Sequence, residues 1–257
     1  MVTIKTSEEI EILREGGKRL AFILRELQKQ VRPGITTKEL DDMALRLTRE
    51  GGDEPSFLDY KPDGARRPYP ASLCVSINDE IVHGIPNEQP KTLKEGDIVS
   101  LDMGIIHKGL FTDSAITVPV GRVDEKARLL ISTTREALMR GISVARAGNK
   151  IGDIGHAIES FVEPFGFSHA EGLAGHGVGY AVHEDPYVPN TGKKGTGITL
   201  KPGMVLAIEP MLCEGTGRTK LDSDGYTYRT RDGKRSAHCE HTILITDGDP
   251  EILTKGE

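Results

Sequence analysis

Two stretches of this chain repeat each other, and the repeat places acids where a strand should be apolar. Leu93-Lys94-x-Gly96, running on to Leu101-Asp102, matches Leu200-Lys201-x-Gly203, running on to Ile208-Glu209. Further along, Asp113-x-x-Ile116-x-Val118-x-x-Gly121 matches Glu240-x-x-Ile243-x-Ile245-x-x-Gly248. The offset is constant within each match and grows between them. A longer connection over residues 213–238 absorbs the growth, since the entropy of closing a loop rises only slowly with its length. Asp102 therefore corresponds to Glu209 and Asp113 to Glu240, in a fold built of two similar halves.

Helix signals precede the strands in both halves. Thr6-x-x-Glu9 and Thr36-x-x-Glu39 are capping boxes. The first opens an apolar stripe of Leu13, Leu20, Leu24 and Leu27 that stops at Pro33-Gly34; the second opens a stripe of Leu40, Ala44 and Leu47 that stops at Gly51-Gly52. Residues 53–70, rich in Pro, read as an irregular loop, and Ser72 to Ile77 and Asp97 to Leu101 read as strands. Asp124 to Ala145 and Ile151 to Phe161 repeat the helical period before strands return. The expected architecture is α+β: one domain over 1–257, made of halves at about 1–121 and 122–257.

A carboxylate inside an apolar strand loses hydration worth several kcal/mol unless something compensates it. One such acid is usually a solvated edge residue or half of a salt bridge. Four at equivalent positions need a common cause. A ribbon centred between Asp224 and Gly225 places Glu209 opposite Glu240 on one face, and Asp-Gly is a strong signal for a two-residue turn. Pairing Asp102 directly with Asp113 centres the other hairpin between His107 and Lys108, with Gly109 following. A three-residue turn with a bulge at Gly109 would send the two aspartates to opposite faces, so a two-residue turn or a compensating bulge is expected.

Converging carboxylates repel and cannot all stay ionised without cations between them. Four oxygen donors exceed what one catalytic zinc takes, whereas two metals roughly 3.5 to 4 Å apart would use them all. A nitrogen donor would complete the set. His176, in Gly175-His176-Gly177, is the best candidate, with flanking glycines that permit close approach to a bound group. His83 and His183 lie in Gly- and Pro-punctuated segments beside strands. His241 follows Glu240 on a strand and points to the other face. His107, His156, His169 and His238 read as structural.

Composition removes several classes. With 33 basic against 39 acidic side chains, net −6, the chain lacks the basic footprint of a nucleic-acid binder. Cys74, Cys213 and Cys239 are odd in number and never CxxC, which argues against a disulfide framework or thiolate zinc site and for a reducing cytoplasm. No apolar stretch is long enough to span a bilayer, and the N-terminus has no signal-peptide pattern.

The segments Asn78-Asp79-Glu80-Ile81-Val82-His83-Gly84-Ile85-Pro86, Leu101-Asp102-Met103-Gly104, Thr112-Asp113, Gly175-His176-Gly177-Val178-Gly179, Ile208-Glu209-Pro210-Met211 and Glu240-His241-Thr242 resemble, in order, the motifs of the type I methionine aminopeptidases. The resemblance runs through nearly the whole chain. It implies the duplicated pita-bread fold and a dinuclear centre of two divalent ions (Co, Mn, Fe or Zn) held by Asp102, Asp113, His176, Glu209 and Glu240, with Asp113 and Glu240 bridging. It also implies attack of metal-bound hydroxide on the carbonyl after an N-terminal methionine. Glu209 would handle the proton, His83 and His183 would contact substrate and tetrahedral intermediate, and Cys74 and Tyr69 would wall the methionine pocket. The expected substrates are N-terminal methionyl peptides and nascent chains at the ribosome. The expected enzyme is a cytoplasmic monomer of the short bacterial type, with no direct nucleic-acid or membrane partner.

Three features depart from the family pattern. Tyr226 stands where many bacterial members carry Trp, Val182 replaces a bulkier aromatic residue before His183, and Lys61 to Arg67 looks like an insertion. These bear on the pocket and leave the metal ligands intact. Three rival readings remain at this stage. A proline-directed aminopeptidase or prolidase would carry an extra N-terminal domain; a non-enzymatic peptide-binding paralogue would have lost ligands; a structural metal protein would have a closed shell and no pocket.

Overall fold

The computed structural model describes residues 1–256 and runs helix pair, strands, helix pair, strands. First come α1 (Ser7–Gln30) and α2 (Thr37–Glu50), then β1 (Glu54–Pro55), β2 (Cys74–Ile77), β3 (Glu80–Val82), β4 (Ile98–His107) and β5 (Leu110–Pro119). Next come α3 (Glu125–Ser143) and α4 (Ile151–Val162), followed by β6 (Ser168–His169), β7 (Gly175–Gly177), β8 (Glu184–Val188) and β9 (Val205–Ile208). The last strands are β10 (Met211–Cys213), β11 (Thr219–Leu221), β12 (Tyr228–Thr230), β13 (Ser236–His238), β14 (Glu240–Leu244) and β15 (Glu251–Ile252). Both capping boxes form, with the Thr6 and Thr36 hydroxyls accepting from the Glu9 and Glu39 N–H groups and each glutamate answering at the cap N–H. The loop expected over 53–70 is irregular except at β1, which pairs with the end of β4.

The main sheet has nine strands in the order β1-β4-β5-β14-β9-β7-β8, with β2 also on β4 and β15 on β14; every pairing is antiparallel. Its two faces have different work. Leu20, Leu24 and Leu27 of α1 pack with Val99, Leu101, Met103 and Ile105 of β4. Leu130 and Leu138 of α3 and Ile154 and Ile158 of α4 pack with Leu206, Ile208 and Ile243. Strand alternation therefore turns Asp102, Asp113 and Glu240 to the face away from the helices.

The β4–β5 hairpin corrects one expectation. Its turn is two residues, as expected, but they are Lys108 and Gly109, both at positive φ (48° and 83°), between paired His107 and Leu110. A primed turn needs positive φ at both central positions, and glycine supplies the second without strain. The centre shifts by one residue. Asp102 then faces Ala115 and Asp113 faces Gly104, so the two aspartates are diagonal neighbours on one face and not directly opposite.

The second ribbon keeps its expected register throughout. Leu206 lies opposite Ile243, Leu212 opposite Ala237 and Lys220 opposite Arg229, one continuous alignment spread over three sheets. Its tip differs. Asp222 N–H donates to Thr227 O at 2.8 Å, leaving four residues, 223–226, in the loop, with only Gly225 at positive φ. The Asp224 carboxylate accepts from the Tyr226 and Thr227 N–H groups at 2.8 and 2.9 Å, a local turn that displaces the two-residue alternative.

Candidate active site

Two adjacent rows across the main sheet hold the candidate ligands. In one row Asp102 pairs with Ala115 and Ala115 with Glu240, and the same ribbon register carries the row on to Glu209. In the next, Gly104 pairs with Asp113, whose N–H and C=O both bond the Thr242 hydroxyl, and Thr242 pairs with Ala207 and Ala207 with His176. The residues between the ligands are Ala115, Thr242 and Ala207, small enough to let the longer side chains lean together.

Asp102, Asp113, His176 and Glu240 are each less than a tenth exposed. Donor atoms of Asp113, His176 and Glu240 lie within 4.8 Å of one another, and His176 Nε2 is 3.4 Å from Glu209 Oε1. Asp113 Oδ1 and Glu240 Oε1 have no hydrogen-bond partner among the described residues. Burial raises all four carboxyl groups above their ordinary range, and mutual repulsion adds to it at Asp102, Asp113 and Glu240. Burial, reinforced by the neighbouring His183, pushes His176 down to about 3, so its ring is neutral. Its Nδ1 is 2.9 Å from Gly177 O, which places the proton there and leaves the Nε2 lone pair free for a metal. Unpaired carboxylate oxygens beside a free imidazole lone pair form a donor set that fits a divalent cation. The flanking glycines have a different task from the one expected. A Cβ on Gly175 would sit 2.3 Å from Ala207 O and one on Gly177 2.1 Å from Asp185 O, so they allow neighbouring strands, not a ligand, to approach.

A cleft of about 430 Å³ opens over this floor. Its walls include Phe57, Tyr60, Tyr69, Cys74, Tyr226 and Tyr228, and His83 and His183 face it as well. Tyr69 donates to Gly84 O at 3.0 Å, and burial keeps the Cys74 thiol protonated. The Tyr60 hydroxyl is 3.1 Å from His183 Nδ1, and the His183 and His176 rings are 4.4 Å apart. Burial, with His183 adding to it, brings His83 down to about 4. The segment set down as an insertion supplies Pro62, Asp63, Gly64 and Ala65 to the mouth, and Tyr226 donates to Arg67 O, tying that loop to the ribbon tip. Val182 does not line the cleft; it is buried in the cluster that holds Tyr69 and Tyr226.

His238, read from sequence as structural, belongs to the site: its Nε2 is 3.2 Å from Glu209 Oε2 and its ring is 2% exposed. Its place two residues before Glu240 was the available signal, since strand alternation puts such residues on one side. His241 stays outside, with Nδ1 2.9 Å from the Thr254 hydroxyl. His107 forms a buried pair with Asp53 at 2.7 Å.

The sequence pattern of metallopeptidase family M24 matches residues 11–247. The chain belongs to that family. Within it, the chain is 45% identical to the methionine aminopeptidase of Aquifex aeolicus over 99% of both chains. It is also 45% identical to methionine aminopeptidase 1 of Bacillus subtilis, over 99% of this chain and 100% of that one. The crystal structure of methionine aminopeptidase from Thermotoga maritima matches with a TM-score of 0.95 at 44% identity, covering 99% of this chain and 100% of the other. The chain is thus of the type I methionine aminopeptidase family, and its α+β architecture is that family's pita-bread fold. An Xaa-Pro dipeptidase from Bacillus anthracis shares the fold at a TM-score of 0.78 and 24% identity, but this M24 chain covers only 62% of it. Among the described residues no helix is long and apolar enough to cross a membrane.

Proposed function

We propose that this methionine aminopeptidase removes the N-terminal methionine of peptides and nascent proteins with two divalent ions held by Asp102, Asp113, His176, Glu209 and Glu240. The observation that carries the reading is the gathering of three buried carboxyl groups, the nearly buried Glu209 and a neutral imidazole on one sheet face beneath a cleft. Two divalent charges would balance four carboxylates, and the unpaired oxygens of Asp113 and Glu240 suit bridging positions. Once bound, the ions supply Lewis acidity and a water acidic enough to react near neutral pH. Mn, Fe, Co and Zn all suit this donor set.

The chain's own groups do the rest. Glu209 accepts the proton of the attacking water and returns it to the leaving amine. His83 and His183 donate hydrogen bonds to the substrate carbonyl and to the negative charge that develops on it, and the Tyr60 hydroxyl at His183 Nδ1 fixes that ring. Tyr69, Cys74 and Tyr226 wall an apolar pocket suited to a polarizable thioether side chain. The reading takes residues 1–257 as a single catalytic domain of two repeated halves, about 1–121 and 122–257. It describes a cytoplasmic monomer that meets nascent chains at the ribosome without binding nucleic acid itself.

The test is release of free methionine from Met-Ala-Ser by metal-stripped protein refilled with Mn, Co, Fe or Zn, beside Leu-Ala-Ser and Ala-Pro-Ser. Metal-dependent, Met-selective release is expected. Cleavage of Ala-Pro-Ser instead would replace the reading with a proline-directed one, and metal binding without cleavage would replace it with a peptide-binding role.

A further inference from the structure

Glu209 sits between two imidazoles, one on each oxygen. Oε1 is 3.4 Å from His176 Nε2, and Oε2 is 3.2 Å from His238 Nε2. The two histidines are not equivalent. His176 has its proton held at Nδ1 by Gly177 O, so its Nε2 faces Oε1 as a lone pair. Two bare acceptors 3.4 Å apart repel unless a proton or a cation lies between them. Without metal a carboxyl proton can fill that place; on the metal-dependent reading above a cation takes it, and Oε1 is the oxygen that would face the metal.

His238 is fixed from behind. Its N–H donates to the Thr117 hydroxyl at 2.8 Å, and its C=O accepts from the same hydroxyl at 2.7 Å. Neither ring nitrogen has an aligned hydrogen-bond partner among the described residues, although the ring is buried. A neutral imidazole carries one N–H. Placed on Nδ1, that proton would meet no acceptor while the Nε2 lone pair faced a carboxylate; placed on Nε2, it points towards Oε2. Contacts of this kind are often poorly aligned in an unliganded site and tighten when it is loaded.

We propose that His238 is a positioning residue which keeps Glu209 on the metal through Oε1 alone, by holding Oε2 with its Nε2–H. A carboxylate can ligate through one oxygen or both. With both engaged, Glu209 would have no oxygen free to take a proton. His238 thus divides the labour of the two oxygens, and nothing in the sequence pattern of the acids required it.

The inference rests on the metal-dependent reading above. It is tested with His238→Met, which keeps bulk without a donor, and His238→Gln, whose amide can reach where Nε2 does. Each protein is stripped, titrated with Co2+, and assayed on Met-Ala-Ser. Outer-shell partners of metal ligands are worth about 10- to 100-fold. His238→Met is expected to lose kcat by about that factor, with KM within about twofold and Co2+ bound as tightly as before or tighter. Its Co2+ absorption spectrum should change as the second oxygen enters the coordination shell. His238→Gln should recover kcat to within about fivefold of wild type and restore the spectrum. Wild-type kcat in His238→Met, equal impairment of both variants, or Co2+ affinity falling in step with kcat would each overturn the proposal. Should the Met variant fail to fold, His238→Asn takes its place: it is polar but too short, and is expected to lose kcat as the Met variant would, with activity equal to Gln counting against the proposal. Wild-type protein that binds Co2+ yet frees no methionine would end the parent reading. An active wild type with indifferent variants ends only this one.

Discussion

The two antiparallel ribbons that bring acids to the site solve the same problem differently. The β4–β5 hairpin stays in one sheet from Ile98 to Pro119, turns in two residues and delivers Asp102 and Asp113 as diagonal neighbours. The ribbon from Val205 to Leu244 leaves the main sheet directly after Glu209 and rejoins it at Glu240, passing through two smaller sheets on the way. Its excursion supplies Tyr226, Tyr228, Leu221 and Gly225 to the cleft. On the proposed reading the first ribbon is scaffold and ligand only, while the second is ligand at its base and substrate wall at its tip. Equivalent positions in a repeat can keep one chemistry while the connection between them takes on another.

If both ribbons hold the same metals and Asp113 and Glu240 bridge them as proposed, removing one of these charges from either ribbon should be equally damaging. Asp113→Asn and Glu240→Gln are each expected to weaken metal binding and lower kcat by roughly a thousandfold or more, since the acidic water depends on the ion. The fold should survive, because each change also removes one of several repelling buried carboxyl groups. Normal turnover in either variant, read with metal stoichiometry, would break the symmetry. Next in size is His183→Ala, which lies on neither ribbon and should keep its metal while losing about 10²- to 10³-fold in kcat, the usual cost of one donor to a developing oxyanion.

How much of this could be seen beforehand depends on how local its cause is. The capping boxes at Thr6 and Thr36 mark helix starts because the bonds that make them span three residues. The register of the long ribbon was readable to its tip because a hairpin fixes its own alignment. What could not be read is which strands become neighbours. Only the placement of β14 between β5 and β9 makes Ala115, Thr242 and Ala207 spacers between ligands. His238 is a different case: the ribbon register and strand alternation already set it two residues from Glu240 on the side of Glu209, and only the irregular look of its own segment hid it. The tight fit of Gly175 and Gly177 against Ala207 and Asp185 also depends on a pairing that the local sequence does not state.

Titration separates the metal-free from the loaded site. The four carboxyl groups have folded-state pKa values raised by burial, to about 8 at Asp113 and Glu209. A carboxyl group raised in this way binds more protons folded than unfolded, so its contribution to stability is lost as pH rises through its folded value. The buried histidines, brought down to about 3 at His176 and His238 and about 4 at His83, act in the opposite direction, but only below about pH 6.5, where the unfolded imidazole protonates. Metal-free protein should therefore melt several degrees lower at pH 8.5 than at pH 6.5, and the loaded protein should not. A metal-free melting temperature that is flat or rises across that interval would show that the carboxyl groups are not held protonated.

The smallest expected effect is also the most direct comparison of the two ribbons. Gly109 and Gly225 occupy their tips at nearly the same φ, 83° and 86°, and a Cβ on either would meet no atom within 4 Å. Each alanine substitution should cost about 1–2 kcal/mol of backbone strain, the penalty for a left-handed residue bearing a side chain. In a chain of this length that lowers the melting temperature by about 2–8 °C. The stability loss should be alike, because the cause is intrinsic to the residue. Activity should not be alike. Gly109 lies away from the cleft and Gly225 lines its mouth, so Gly225→Ala should raise KM by a small factor while Gly109→Ala leaves kcat and KM unchanged. Equal kinetics from the two variants would mean that the ribbon tip does not touch the substrate, and the second ribbon would then be scaffold like the first.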